Sequence, residues 1–107
     1  MDFGIAAQGD LASTVLPWTS ENGSNASFLV SGQPNISYAI ALPPGSISMS
    51  RFADRVDVGQ FRSFPSDVGV TDGNGKQMIY VGATRNAISL TQQRGNYSGN
   101  FTITIVY

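Results

Sequence analysis

The last thirteen residues, Gly95-Asn-Tyr-Ser-Gly-Asn-Phe-Thr-Ile-Thr-Ile-Val-Tyr107, constrain the fold more than any other stretch. A Gly-punctuated turn leads into a run in which Phe101, Ile103, Ile105 and Tyr107 share one face. Thr102, Thr104 and Val106 share the other. Period-two alternation of aromatic and β-branched residues predicts a strand with one face buried. A domain that finishes inside such a strand places sheet-edge backbone at its own C-terminus, and exposed edges invite pairing with another chain. The expectation is assembly rather than catalysis.

The rest of the chain agrees with an all-β reading. No segment holds a helical period over three turns, and short β-rich runs recur between turn signals, as in a sandwich or barrel. Phe3, Ile5, Ala7, Gly9 and Leu11 alternate, and Ser13-Thr-Val-Leu16 follows. Ala26-Ser-Phe-Leu-Val-Ser31 and Ile36-Ser-Tyr-Ala-Ile-Ala-Leu42 read as strands, the second stopped by Pro43-Pro44-Gly45. Ser46 to Ser50 and Arg55 to Val58 are shorter, more polar candidates. Residues 59–69 read as irregular, with Phe61 and Phe64 as anchors and Pro65 blocking a central strand. Gln77 to Gly82 and Asn86 to Leu90 complete the expected set. A single domain over residues 1–107 is expected, without a repeat or linker.

Composition removes most chemistry. The chain has no His and no Cys, hence no Ser-His-Asp arrangement, no Cys or His nucleophile and no His- or Cys-based metal site. Lys and Arg number 6 against 7 Asp and Glu, so no basic patch exists for nucleic acid. Charged residues make up 12%, about half the usual 25%, which argues against a soluble intracellular enzyme. No stretch approaches the roughly 20 apolar residues of a membrane span. Met1 joined directly to Asp2-Phe3-Gly4 reads as a start that replaces a signal peptide. The expectation is a non-enzyme without cofactor.

Several motifs recur in a recognisable order: Phe28-Leu-Val-Ser-Gly32, Tyr38-Ala-Ile-Ala-Leu-Pro43, Ile79-Tyr-Val-Gly-Ala-Thr84 and Gly95 to Ile105, with Asp2-Phe3-Gly4 ahead of them. Together they span most of the chain. In order and spacing they resemble the secreted bacterial surface-protein family catalogued as domain of unknown function 4402. That family is similar in turn to spore-coat-U-like proteins and chaperone–usher pilin subunits. The resemblance implies an immunoglobulin-like antiparallel β-sandwich lacking its last strand, which a neighbouring subunit or a periplasmic chaperone donates. It also implies an usher, export through the periplasm and a place on the cell surface or in an extracellular fibre. Two features depart from the pilin pattern. Tyr107 is the last residue where pilins carry an aromatic second from the end, and this chain cannot form the disulfide many pilins have.

On this reading Phe101, Ile103, Ile105 and Tyr107 line or flank the subunit groove. The bland alternative is an ordinary interior strand of a complete sandwich, and alternation alone does not separate the two. The run Phe3, Ile5, Ala7, Gly9, Leu11 is either the domain's own first strand or a donor strand for the next subunit. In the first case the native donor lies upstream of Met1. Trp18, with Tyr80 and Tyr97 elsewhere, is a candidate platform for sugar rings, although a lone Trp is more often a core or interface residue. It underlies the runner-up, a carbohydrate- or surface-binding adhesin with a complete sandwich. Asp72-Gly-Asn-Gly75 has oxygens that suit calcium but lacks the remaining ligands, so a tight turn is expected. Asn-x-Ser/Thr triplets start at Asn22, Asn25, Asn35, Asn96 and Asn100. They read either as glycan acceptors or as turn chemistry in a Ser/Thr-rich β-protein.

Overall fold

The computed structural model describes residues 1–51, 54–89, 91–92 and 95–106. Among them are eight strands and no helix: β1 (Ser13–Val15), β2 (Ala26–Ser31), β3 (Ser37–Ala41), β4 (Ile47–Arg51), β5 (Asp54–Phe64), β6 (Val68–Val70), β7 (Lys76–Arg85) and β8 (Thr104–Val106). Every pairing is antiparallel. Two sheets form, as a β-sandwich requires. Sheet A runs β1-β7-β5-β4, with β2 also on β7, and sheet B runs β6-β3-β8.

The ten-residue β7 organises sheet A. Its first half pairs with β2 from Ala26↔Val81 to Ser31↔Lys76, and its last residues pair with β1 from Val15↔Ala83 to Ser13↔Arg85. β1 and β2 therefore lie end to end along one side of β7, with β5 on the other. Inward positions alternate as a half-buried strand demands: Ile79, Val81, Ala83 and Arg85 are all buried. The core cluster joins Val30, Ile79 and Val81 of sheet A to Tyr38 and Ile40 of sheet B. The Tyr38 hydroxyl donates to Gln77, so its polar end stays satisfied at the edge of that core.

Three sequence expectations need correction here. Residues 3–11 form no strand. Gly4 and Gly9 adopt φ of 74° and 85°, and the Ala7 amide donates to the Asp10 carboxylate at 2.7 Å, so local turns replace the extended run. Residues 86–89 are likewise not a strand, since Ser89 starts a turn by accepting from the Thr91 amide at 3.0 Å. Leu90 lies outside the described residues. Residues 59–64, expected to be irregular, continue β5. A register shift between Gly59 and Arg62, with Gln60 at φ 52°, absorbs the irregularity as a bulge. The strand stops at Phe64, before Pro65, as a missing amide hydrogen dictates. Of the two expected anchors only Phe61 packs against the core, whereas Phe64 is 48% exposed.

The Asp72 turn links β6 to β7. The Asp72 carboxylate accepts from the Asn74 and Lys76 amides at 2.8 and 3.0 Å, which holds its pKa below the ordinary 3.8. A depressed carboxylate stabilises the fold above its unfolded pKa and loses that contribution as pH falls through the folded one. Asp72→Ala should therefore lower the melting temperature at neutral pH. The charge-dependent part of the gap to wild type should close as pH drops below 3.8, as melts across an acid series would register.

Candidate functional site

β8 occupies an edge of sheet B. It pairs with β3 from Ala39↔Val106 to Ala41↔Thr104, and among the described residues no strand pairs with its other side. Of the strand expected from Phe101 to Tyr107, only Thr104–Val106 is a strand among the described residues, but the alternation seen in the sequence carries through Phe101 to Ile103 ahead of it. Phe101, Ile103 and Ile105 are partly buried and pack against the core cluster, while Thr102, Thr104 and Val106 are exposed. Phe101 sits edge-on to Phe28 with ring centroids 6.0 Å apart, and 5.0 Å from Phe61. These contacts tie the approach to β8 to both β2 and β5. Tyr107 lies outside the described residues.

Core side chains also reach the surface on the other side of β3, where Ser66 and Asp67 lead into β6. Ile40, Leu42 and Phe61 line a cleft of about 350 Å³ together with Leu16 and Pro17. Ile40 is the direct β-partner of Ile105. Beside the unpaired side of β8 stand the partly buried Phe101, Ile103 and Ile105, and an added strand uses such side chains for packing and the backbone ladder for hydrogen bonds.

The N-terminal arm, residues 1–12, lies outside both sheets. Ile5 and Leu11 are 105% and 83% exposed, Phe3 is half-buried, and Ala7 and Gly9 are exposed. Few backbone bonds hold the arm. The Asp2 amide donates to the Ser24 carbonyl at 2.8 Å, the Gly9 amide to Ile88 at 2.8 Å, and the Ile88 amide to Asp10 at 2.9 Å.

Trp18 is 57% exposed at φ 56° and lines a shallow cleft of about 400 Å³ with Leu16, Asn22 and Ser24. Tyr97 lines a different cleft, and Tyr80 stands opposite Ser27 and Phe64 in sheet A. Turn chemistry accounts for three of the Asn triplets. Asn25 is buried, with its amide nitrogen donating to Pro17 and Ser20 carbonyls at 2.7 and 2.9 Å. Asn22 accepts from the Ser24 and Asn25 amides, and Asn35 takes the left-handed conformation at φ 55°. No group of three or more acidic side chains able to hold a metal ion occurs among the described residues.

Sequence reasoning missed two buried polar residues. Thr71, 2% exposed, donates to the Gln33 carbonyl at 2.7 Å and accepts from the Ile36 amide at 2.9 Å, pinning the start of β3. Arg85, 5% exposed, continues the inward series of Ile79, Val81 and Ala83. Extending the expected strand Gln77 to Gly82 by three residues, with its period-two pattern, would have found it.

The fold is an antiparallel β-sandwich in which, among the described residues, β8 has a strand on one side only. The chain belongs to the family described as Domain of unknown function (DUF4402), whose model matches residues 2–107. No curated protein and no solved structure matches it.

Proposed function

We propose that this chain is a structural subunit of a bacterial surface fibre (a pilus or fimbria) or coat, exported through the periplasm, that assembles by donor-strand complementation. The observation that carries the reading is the open side of β8, beside inward side chains that are only partly covered. A donated strand would pair along that edge in an immunoglobulin-like arrangement and cover Phe101, Ile103 and Ile105. Tyr107 is included in the proposed groove from the sequence alone. Burying four or five apolar side chains at about 1.5–3 kcal/mol each contributes on the order of 10 kcal/mol. That is comparable to the whole stability of a small domain.

The arm is the natural donor on this reading. Phe3, Ile5, Ala7, Gly9 and Leu11 share one face once extended, and all but the half-buried Phe3 are exposed and have little to lose by leaving their own domain. A periplasmic chaperone and an usher are the implied assembly partners, the chaperone covering the edge until a subunit takes its place.

Size-exclusion chromatography and electron microscopy of Ile103→Asp test the proposal. A charge on the inward face lacks any partner in the groove and should abolish assembly. Thr102→Asp, on the outward face, should leave assembly unchanged. Normal fibres from Ile103→Asp would overturn the assignment. The alternative of a glycan-binding adhesin has exposed Trp18 in its favour, but Trp18 and Tyr97 line separate clefts rather than one platform.

A further inference from the structure

Sheet B packs against the first half of β7, and the second half is covered differently. There the inner face of sheet A presents Met49, Val56 and Arg85 to a cleft of about 670 Å³. Its other walls come from the N-terminal arm and the segment after β7, among them Gln8, Gln92, Asn96 and Tyr97. A volume of this order falls within the roughly 300–1,000 Å³ of small-molecule sites.

Arg85 is poorly satisfied for so buried a cation. Its Nη1 donates to the Asn86 carbonyl at 2.9 Å, but Nη2 reaches the Leu11 carbonyl only at 3.5 Å, the outer limit of a hydrogen bond. Its Nε has no hydrogen-bond partner among the described residues and is screened from solvent. No carboxylate of the described residues pairs with it. Asp2 also lines the cleft, with its carboxylate accepting from the Gly4 amide at 2.7 Å. A guanidinium does not shed its charge in proteins, so burial without a counter-charge is costly.

The chemistry of the unsatisfied edge is specific. Nε and Nη2 lie along one edge of the planar guanidinium, and their N–H bonds point in parallel. That edge grips the two oxygens of a carboxylate. We infer that this cleft is a binding site for a small organic carboxylate of sugar-acid size, held side-on by the Nε–Nη2 edge of Arg85. Nε is screened from solvent, so the ligand reaches this edge by displacing the Leu11 carbonyl, and it supplies the missing negative charge. Gln8 Nε2 already donates to the Gln92 carbonyl, and Gln92 Nε2 to the Arg55 carbonyl and the Tyr97 hydroxyl, so the side-chain oxygens of both and the amide of Asn96 remain for ring hydroxyls, with the Tyr97 ring beside them. These walls, and the space they enclose, favour a sugar acid over a bare inorganic anion. The site uses the arm in its folded-back position, so ligand binding here and donation of residues 2–12 to a neighbour exclude one another.

The test measures binding of glucuronate, glucose or inorganic phosphate to the full chain and its variants by calorimetry, and follows the Arg85 Nε–H resonance of the unsubstituted chain during the same titrations. Glucuronate should shift the resonance and bind about ten- to a hundredfold more tightly than glucose, the range expected for charge-assisted hydrogen bonds. Arg85→Met should melt at the same or a higher temperature and lose the preference, because an apolar side chain replaces a buried charge. Arg85→Lys keeps the charge without the two-pronged edge and should also lose most of it. Equal behaviour of glucuronate and glucose would overturn the site, as would a preference retained in both variants. A phosphate response matching that of glucuronate would overturn the sugar-acid assignment.

Discussion

A synthetic peptide of residues 2–12 should raise the melting temperature of the full chain by roughly 10–20 °C at hundredfold excess over its Kd, since such binding adds about 2.7 kcal/mol and each kcal/mol moves a domain of this size by about 4–8 °C. The effect follows from what the edge of β8 lacks. Its backbone has one strand partner among the described residues, and the side chains behind it, Phe101, Ile103 and Ile105, are only partly covered. A peptide carrying Phe3, Ile5, Ala7, Gly9 and Leu11 on one face completes both. The same peptide with Ile5→Asp should lose the effect, because the carboxylate has no counter-charge in an apolar groove. A chain that stays monomeric and melts unchanged at saturating peptide would sink the strand-donation proposal.

The second large effect concerns the middle of β7. A Cβ on Gly82 would stand 2.0 Å from the Val15 carbonyl oxygen and 2.8 Å from both the Leu16 carbonyl carbon and the Pro17 nitrogen. All three are backbone atoms, held where β1 pairs with β7, so none can swing aside as a side-chain tip would. Gly82→Ala should cost about 3 kcal/mol, the upper range for overpacking. The melting temperature should fall by more than roughly 10 °C. Gly73→Ala is the control. Nothing lies within 4 Å of its Cβ position, and a change within about 0.5 kcal/mol is expected. Equal losses from the two substitutions would mean that β1 does not cross β7 so closely.

Much of the strand content was legible because alternation is a local property. The run from Ala26 to Ser31 coincides with β2, and β3 lies within the run from Ile36 to Leu42. In β3 the faces were legible too: Tyr38 and Ile40 are buried, and Ala39 and Ala41 are exposed. The inward side of Phe101, Ile103 and Ile105 followed from the same rule. The N-terminal run shows where it fails. Phe3 to Leu11 alternates as well as any strand, yet its glycines turn and its Asp10 caps the backbone locally. Residues 59–64 failed in the other direction. One left-handed residue, Gln60, is enough to restore register and prolong β5, and no composition signal marks it.

The cleft lay wholly beyond sequence reasoning. Arg85 is brought under the arm by pairings with Ser13 and Val58, residues 72 and 27 positions away. Its unsatisfied Nε depends on where the Leu11 carbonyl comes to rest. Alternation, turn chemistry and the absence of His and Cys were enough to determine an all-β domain without a Cys- or His-based site, because each acts on residues close in the chain or by composition alone. Which edge stays open, which apolar residues remain uncovered and which cation is buried were decided only in the tertiary structure. Those outcomes depend on contacts between segments far apart in the chain, and local pattern does not encode their partners.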